Sequence, residues 1–137
     1  MILEDLLIKH EGVRNRPYKD SLGNLTIGVG HNLDKPLSTQ AIIQILEDDI
    51  SDARKDAKTF SWFQGLNETR QNVILDMIFN MGLERFKGFK LMNDALMKSD
   101  YSTAADEMLN SLWAKEVGLR ASELSQLMRT GVDNESA

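Results

Sequence analysis

Apolar residues near the start of the chain recur at helical spacing. Residues 2–11 are therefore predicted to form a short helix that ends at Gly12. The apolar positions behind this prediction are Ile2, Leu3, Leu6 and Leu7.

Between Pro17 and Leu33 the period becomes two, which is typical of β-strands. The polar stretch at residues 21–24 supplies turn residues, so a hairpin is predicted between residues 18–20 and 25–29. Alternation then directs two sets of residues to opposite faces: Leu25, Ile27 and Val29 on one, Thr26, Gly28 and Gly30 on the other.

The rest of the chain is predicted to be helical. Ser38 is the expected N-cap of a long helix through about Lys58, with an apolar stripe of Ile42, Leu46, Ile50 and Ala53. Asn67 is the expected cap of a second helix that ends at Gly82 and buries Val73, Ile74, Met77, Ile78 and Met81. Shorter helices are predicted over residues 89–98, 102–111, 113–116 and 120–128, with a flexible tail at 132–137.

This order of elements predicts an α+β fold that is predominantly α-helical, within a single domain over residues 1–137. Residues 12–58 would form a reduced antiparallel β-hairpin lobe and a linking long helix. Residues 1–11 and 59–131 would form a larger helical lobe. A cleft between such lobes is a common place for a ligand site.

Composition excludes several classes of site. The chain has no cysteine, which excludes disulfides, thiolate metal sites and a cysteine nucleophile. Its two histidines stand far from any third ligand, so a zinc site is not expected. The net charge of −5 argues against nucleic acid as a partner.

No targeting or membrane segment is expected either. Residues 1–10 carry acids within a helical pattern, and no apolar run approaches the roughly 18 residues that a membrane helix needs. The expectation is a protein made in the cytoplasm, without a signal peptide and without stable membrane insertion.

Three residues near the hairpin could carry chemistry. Glu11 stands at a helix end beside apolar neighbours, a setting that suits a proton donor. Asp20 stands at a wetter turn, where it would stay ionised as a base for water. Thr26 is the one hydroxyl on a strand face otherwise made of glycines, which often mark the close approach of a ligand. The alternative is purely structural: a helix end, a turn and a tight glycine bend.

Three separated segments bear on this choice. They are EGVRNRPYKDSLGNLTIGVGHNL from Glu11, ILDMIFNMGLERFKGF from Ile74, and WAKEVGLRASEL with LMRTG from Trp113. In this order and spacing they resemble the phage-type lysozymes, glycoside hydrolase family 24, over most of the chain.

The resemblance implies endo-hydrolysis of the β-1,4 bond between N-acetylmuramic acid and N-acetylglucosamine in peptidoglycan. Glu11 would be the general acid, and Asp20 and Thr26 would position the attacking water, with inversion at the sugar carbon. Inverting enzymes hold their two carboxyl groups about 6.5–9.5 Å apart. Such a reaction needs only an acid, a base and water, so no metal, nucleotide or other cofactor is expected.

Further positions carry over from the family. Arg120 would pair with Glu11, and His31 with Asp49 would form a structural ion pair. Phe79 would line the cleft, with core packing as its alternative, whereas Trp113 is expected in the core. The predicted substrate-binding residues are Gly30, Asn32, Phe79 and Glu107.

The chain also departs from the family. Asn32, Met92 and Glu107 differ from the family's sugar-contacting residues, and the segment after Leu33 is short, so the hairpin lobe is expected to be reduced.

The function expected from this resemblance is that of an endolysin, a monomer released to the cell wall by a pore-forming holin. Two other readings stay open: a silent wall-binding module that keeps the fold, and a lytic transglycosylase, which uses one acid and leaves an anhydro sugar end.

Overall fold

The computed structural model describes residues 1–134, whose contacts form two compact units. The first unit ends at Gln44 and the second begins at Ile45, inside a long helix. Residues 135–137 of the predicted tail lie outside the described residues. The predicted grouping of residues 1–11 with residues 59–131 stays a prediction.

The described chain is mostly helical with one small antiparallel sheet, which confirms the predicted α+β class. Its elements up to the long helix are α1 Leu3–Glu11, β1 Arg14–Lys19, β2 Leu25–Gly28, β3 His31–Asn32 and α2 Thr39–Ala57. The later elements are α3 Glu68–Met81, α4 Leu83–Lys87, α5 Lys90–Met97, α6 Tyr101–Leu109, α7 Leu112–Val117 and α8 Leu119–Thr130. Neither β3 nor α4 was predicted, because each is too short to show a period of its own.

The sheet has the order β1-β2-β3, and both strand pairs are antiparallel. Thr26 occupies its centre, since it pairs with Tyr18 on one side and Asn32 on the other. This central position buries Thr26 to 2% exposure, which makes it the sheet's anchored polar residue.

The predicted glycine face of the hairpin is wrong in part. Strand β2 ends at Gly28, and Gly30 lies in the turn that leads to β3. Both glycines have positive φ, 70° and 62°, which other residues rarely adopt. Gly28 is therefore the last residue of the strand, whereas Gly30 belongs to the turn and not to the predicted strand face.

Helix α2 begins as predicted but does not bury the predicted stripe. Ser38 Oγ accepts a hydrogen bond from the Ala41 N–H at 3.1 Å, which is an N-cap contact. Ala53 is buried, whereas the other three stripe residues are exposed by 38–53%: Ile42, Leu46 and Ile50. Helical periodicity identifies an apolar side but does not show whether another element covers it.

The buried apolar residues of the described chain all lie in the second unit, where α8 packs against α6 and α3. The predicted buried face of α3 is confirmed for Val73, Ile74, Met77 and Ile78, whereas Met81 is half-buried. Trp113 is 1% exposed, as predicted, and its Nε1 donates to Asn80 Oδ1 at 2.8 Å. Among residues 1–134 no helix is both long and apolar enough to span a membrane.

Asn67 and Arg70 fasten the start of α3 to the end of α8. Asn67 Oδ1 accepts from the Arg70 N–H at 3.0 Å, and Asn67 Nδ2 donates to the Gly131 carbonyl at 3.0 Å. Arg70 Nε donates to the Met128 carbonyl at 2.8 Å. One asparagine thus caps α3 and also satisfies a carbonyl at the end of α8, which links two helices far apart in sequence.

We expect Asn67→Ala to lower the free energy of unfolding by about 1–2 kcal/mol, because it removes both the cap and the bond to Gly131. Asn67→Ser keeps a capping oxygen and should lose less. Urea unfolding of the three proteins tests the dual role, and equal losses in the two variants would contradict it.

Candidate active site

Asp20 is held by the turn that joins β1 to β2. Its Oδ1 accepts from the N–H groups of Leu22 at 2.9 Å and Asn24 at 2.8 Å. Its Oδ2 lies 3.5 Å from Asn24 Nδ2, a weaker contact. An aspartate that accepts from backbone two and four residues ahead closes its own turn. The turn therefore fixes one carboxylate oxygen and leaves the other less occupied.

These hydrogen bonds favour the charged form of the carboxyl. The N–H of Asn24 is the largest cause that lowers the pKa of Asp20 below 3.8, and the N–H of Leu22 adds to it. Partial loss of water acts in the opposite direction. Asp20 is thus an ionised carboxylate at neutral pH, as predicted from its place in a turn.

Asn24 connects Asp20 to Thr26. Its N–H and side chain face Asp20, while its carbonyl accepts the hydroxyl proton of Thr26 at 2.8 Å. Thr26 Oγ1 has donated its only proton, so it can act only as a hydrogen-bond acceptor toward a further partner. Asn24 was not among the predicted site residues. Its position four residues after Asp20, at the end of the turn, was the signal that could have found it.

Glu11 is the last residue of α1 and lies against Gly30. A Cβ atom built on Gly30 would stand 2.7 Å from Glu11 Oε2 and 2.9 Å from its Cδ. The side chain is exposed, so the predicted shielding by apolar neighbours is wrong for this structure. The absence of a side chain at position 30 is what leaves room for this carboxyl group.

The first unit thus brings together several of the predicted residues. Gly30 contacts Glu11, and Asn32 pairs with Thr26 across β2 and β3. Asn32 Oδ1 also accepts from the Asp34 N–H at 2.9 Å, which holds this amide in the turn after β3.

Arg120 and Phe79 lie in the second unit and line one cavity of about 380 Å³. There Arg120 forms an ion pair with Asp76, with Nη2 2.6 Å and Nε 2.8 Å from the same Oδ1. Phe79 is 46% exposed, so core packing is the wrong alternative for this ring. The predicted pair of Arg120 with Glu11 stays a prediction.

Glu107 lines a different cavity of the second unit, of about 290 Å³. Lys90 and the fully buried Met92 belong to the same wall. The substrate-binding role of Glu107 stays a prediction.

His31 and Asp49 lie on different elements. His31 opens β3, where it pairs with Ile27, and Asp49 lies on α2 beside Asp52 and Asp56 along a cavity wall. Their ion pair stays a prediction. Within residues 1–134 no group of three or more His, Asp or Glu side chains is arranged to hold a metal ion.

Comparison with known proteins agrees with this fold. The family model for phage lysozymes matches residues 8–130. A probable T4-type lysozyme 2 of Dictyostelium discoideum is 26% identical over 94% of this chain and 94% of its own. The endolysin of Salmonella phage P22 is 30% identical over 80% of this chain and 78% of its own.

A third relative is much longer. The pre-baseplate central spike protein Gp5 of Enterobacteria phage T4 is 28% identical over 96% of this chain, which spans only 28% of that protein. The matching segment is therefore one part of a larger molecule in that relative.

These findings define a lysozyme-type hydrolase of the cell wall. The chain belongs to the phage lysozyme family, whose model covers both Glu11 and the segment that ends α8.

We expect Gly30→Ala to abolish most activity, because the new Cβ would displace the Glu11 carboxyl group. Gly28→Ala is the matched control: Gly28 also has positive φ, but a Cβ there meets nothing within 4 Å. Clearing of purified cell walls measures both variants. Equal activity losses would attribute the effect to backbone strain and reject the role of the Gly30 contact.

We expect the stabilisation by Asp20 to depend on pH in a defined direction. Because the folded-state pKa is lowered, the stabilisation is present above pH 3.8 and is lost as the pH falls through that lowered pKa. Asp20→Asn keeps an acceptor for the turn but no titrating group. The wild type and Asp20→Asn should differ less in melting temperature in acid than at neutral pH. A constant difference between about pH 7 and about pH 2 would contradict the assignment.

Proposed function

We propose that this protein is an endo-acting muramidase that hydrolyses the β-1,4 bond between N-acetylmuramic acid and N-acetylglucosamine. The observation that carries the proposal is the hydrogen-bonded set Asp20, Asn24 and Thr26, which lies in the same unit as Glu11. It supplies an ionised carboxylate and a hydroxyl oxygen held in fixed positions. Both groups can accept hydrogen bonds from the attacking water molecule.

Glu11 would donate a proton to the leaving oxygen of the glycosidic bond. Its exposure leaves the carboxyl group open to a substrate, and the missing side chain at Gly30 gives it room.

Asp20 and Thr26 would hold and activate the attacking water. The water would donate one hydrogen bond to Thr26 Oγ1, whose own proton is engaged by Asn24. Its other proton would pass to Asp20, whose Oδ2 is less occupied than Oδ1. Attack from the face opposite Glu11 would invert the sugar carbon.

Several other residues complete the proposal. Gly30, Asn32, Phe79 and Glu107 would contact the substrate. Arg120 would pair with Glu11, and His31 with Asp49 would form a structural ion pair.

The biological setting proposed is bacterial lysis by a monomeric endolysin. It would stay in the cytoplasm of the host bacterium until a holin lets it reach the wall.

A lytic transglycosylase is the nearest alternative, since it also begins with a protonating acid. It needs no activated water, however, and the fixed Asp20–Asn24–Thr26 set would then have no chemical task. A silent wall-binding module would likewise need none of these three contacts.

Glu11→Gln tests the proposal, because an amide of nearly the same shape cannot act as a proton donor of sufficient acidity. We expect loss of wall clearing by at least about 10²-fold with an unchanged melting temperature. Glu123→Gln, an exposed position on α8, is the control that should keep full activity.

Product analysis separates the alternatives. Mass spectrometry of digested peptidoglycan should find one water added at each cleaved bond and a reducing N-acetylmuramic acid end. An anhydro end would identify a transglycosylase, and intact glycan with bound protein would identify a silent module.

A further inference from the structure

A second possible ligand site lies in the second unit, beside a stacked pair of aromatic rings. Trp62 and Phe60 stack with ring centroids 4.9 Å apart at 21°, and Phe60 also contacts the fully buried Phe86 edge-on at 5.3 Å. Both Trp62 and Phe60 are half-buried. The orientation of Trp62 is therefore set by the core, while part of its ring stays accessible.

Trp62 lines a cavity of about 410 Å³ with a mixed wall. Polar side chains surround the aromatic surface: Lys87, Lys90, Asn93 and Asp94. Lys87 also contacts Glu84 at 3.5 Å, whereas Lys90 and Asp94 are exposed. A rigid apolar surface with several donors and acceptors at its edge is the usual composition of a small-ligand site.

Asn93 is the second observation. Its Nδ2 donates to the carbonyls of Phe89 at 2.8 Å and Phe86 at 3.3 Å, which fixes the orientation of the amide. Its Oδ1 is then a buried acceptor with no hydrogen-bond partner among the described residues. Such atoms are rare in folded proteins, and this one belongs to a residue of the cavity wall.

This chemistry fits a sugar ring. The C–H face of a pyranose packs on an aromatic ring, and its hydroxyl and acetamido groups need both donors and acceptors at the edge. Lysine ammonium groups supply donors, and the exposed Asp94 carboxylate supplies acceptors. The cavity is also close to a predicted substrate contact, because Lys90 lines both it and the Glu107 cavity.

We propose that Trp62 and the surrounding polar residues form a secondary binding site for a sugar ring of the peptidoglycan glycan strand. This inference rests on the proposed function for its ligand class. The site would hold a neighbouring part of the polymer while a bond is cut elsewhere, and so would compensate for the weak attraction between an acidic enzyme and an anionic wall.

Binding without cleavage tests the proposal. In a Glu11→Gln background, co-sedimentation with purified sacculi is measured for Trp62→Leu, Lys90→Ala and Asp94→Ala. We expect each to bind about three- to tenfold more weakly, since each removes one contact of modest strength. Lys115→Ala, an exposed lysine on α7 outside the cavity wall, is the charge-matched control and should bind as the parent does.

Tryptophan fluorescence gives a second, direct readout. Peptide-free glycan strands should change the emission of Trp62, while the buried Trp113 contributes a constant background. The change should vanish in Trp62→Leu. If Trp62→Leu unfolds, the exposed Lys90 and Asp94 variants decide the question.

Undiminished binding by Lys90→Ala and Asp94→Ala, or an unchanged emission at saturating glycan, would overturn the proposal. Because the readout is binding, it is independent of which bond is cut. Loss of hydrolysis by the wild type would instead reject the proposed function and leave the binding result standing.

Discussion

The hydrogen-bonded turn from Asp20 to Thr26 is the constraint on which the site depends. Asp20 closes the turn by accepting two backbone N–H groups, and the last residue of the turn, Asn24, accepts the hydroxyl proton of Thr26. The same bonds that shape the hairpin also lower the pKa of Asp20 and orient the threonine oxygen. One set of contacts therefore fixes both the shape of the turn and the ionised state of Asp20. A change in the turn would affect both at once.

The two units differ in how they are stabilised. In the second unit a buried apolar cluster joins α3, α6 and α8, and the Asn67–Gly131 contact closes it. In the first unit the described residues bury Thr26 and hold their shape mainly through backbone pairing and the Asp20 turn. A small sheet of this kind depends strongly on its turns, because few apolar side chains support it. Three glycines with positive φ lie in or next to these turns: Gly23, Gly28 and Gly30.

Charged residues lie in pairs or groups along two cavities, an arrangement that the net charge of the protein does not show. The protein carries −5 overall, yet Arg120 stands in an ion pair with Asp76 along one cavity, and Lys87 with Lys90 borders another. Exposed ion pairs of this kind contribute little to stability, commonly below about 1 kcal/mol. Their value here is to fix the direction of a long side chain within a cavity, as Asp76 does for Arg120.

Much of the fold and part of the site could be predicted from the sequence. Helical spacing located α1, α2 and α3, and the capping roles of Ser38 and Asn67 followed from residue type. The turn chemistry of Asp20 was also readable, because its hydrogen bonds are local. Glu11 and Thr26 were predicted beside Asp20 from their places at a helix end and on a strand, and the family resemblance supported this choice. Their shared catalytic role stays a prediction.

The rest was decided by tertiary structure. Periodicity placed Ile42, Leu46 and Ile50 on one apolar stripe, but burial depends on what packs against a helix, and these residues are exposed. Three further contacts also form through space. They are the contact of Gly30 with Glu11, the ion pair of Arg120 with Asp76, and the stacking of Trp62 on Phe60. Local propensity and hydrogen bonding act between neighbours in the chain, whereas these contacts arise only when distant or differently directed segments are packed together.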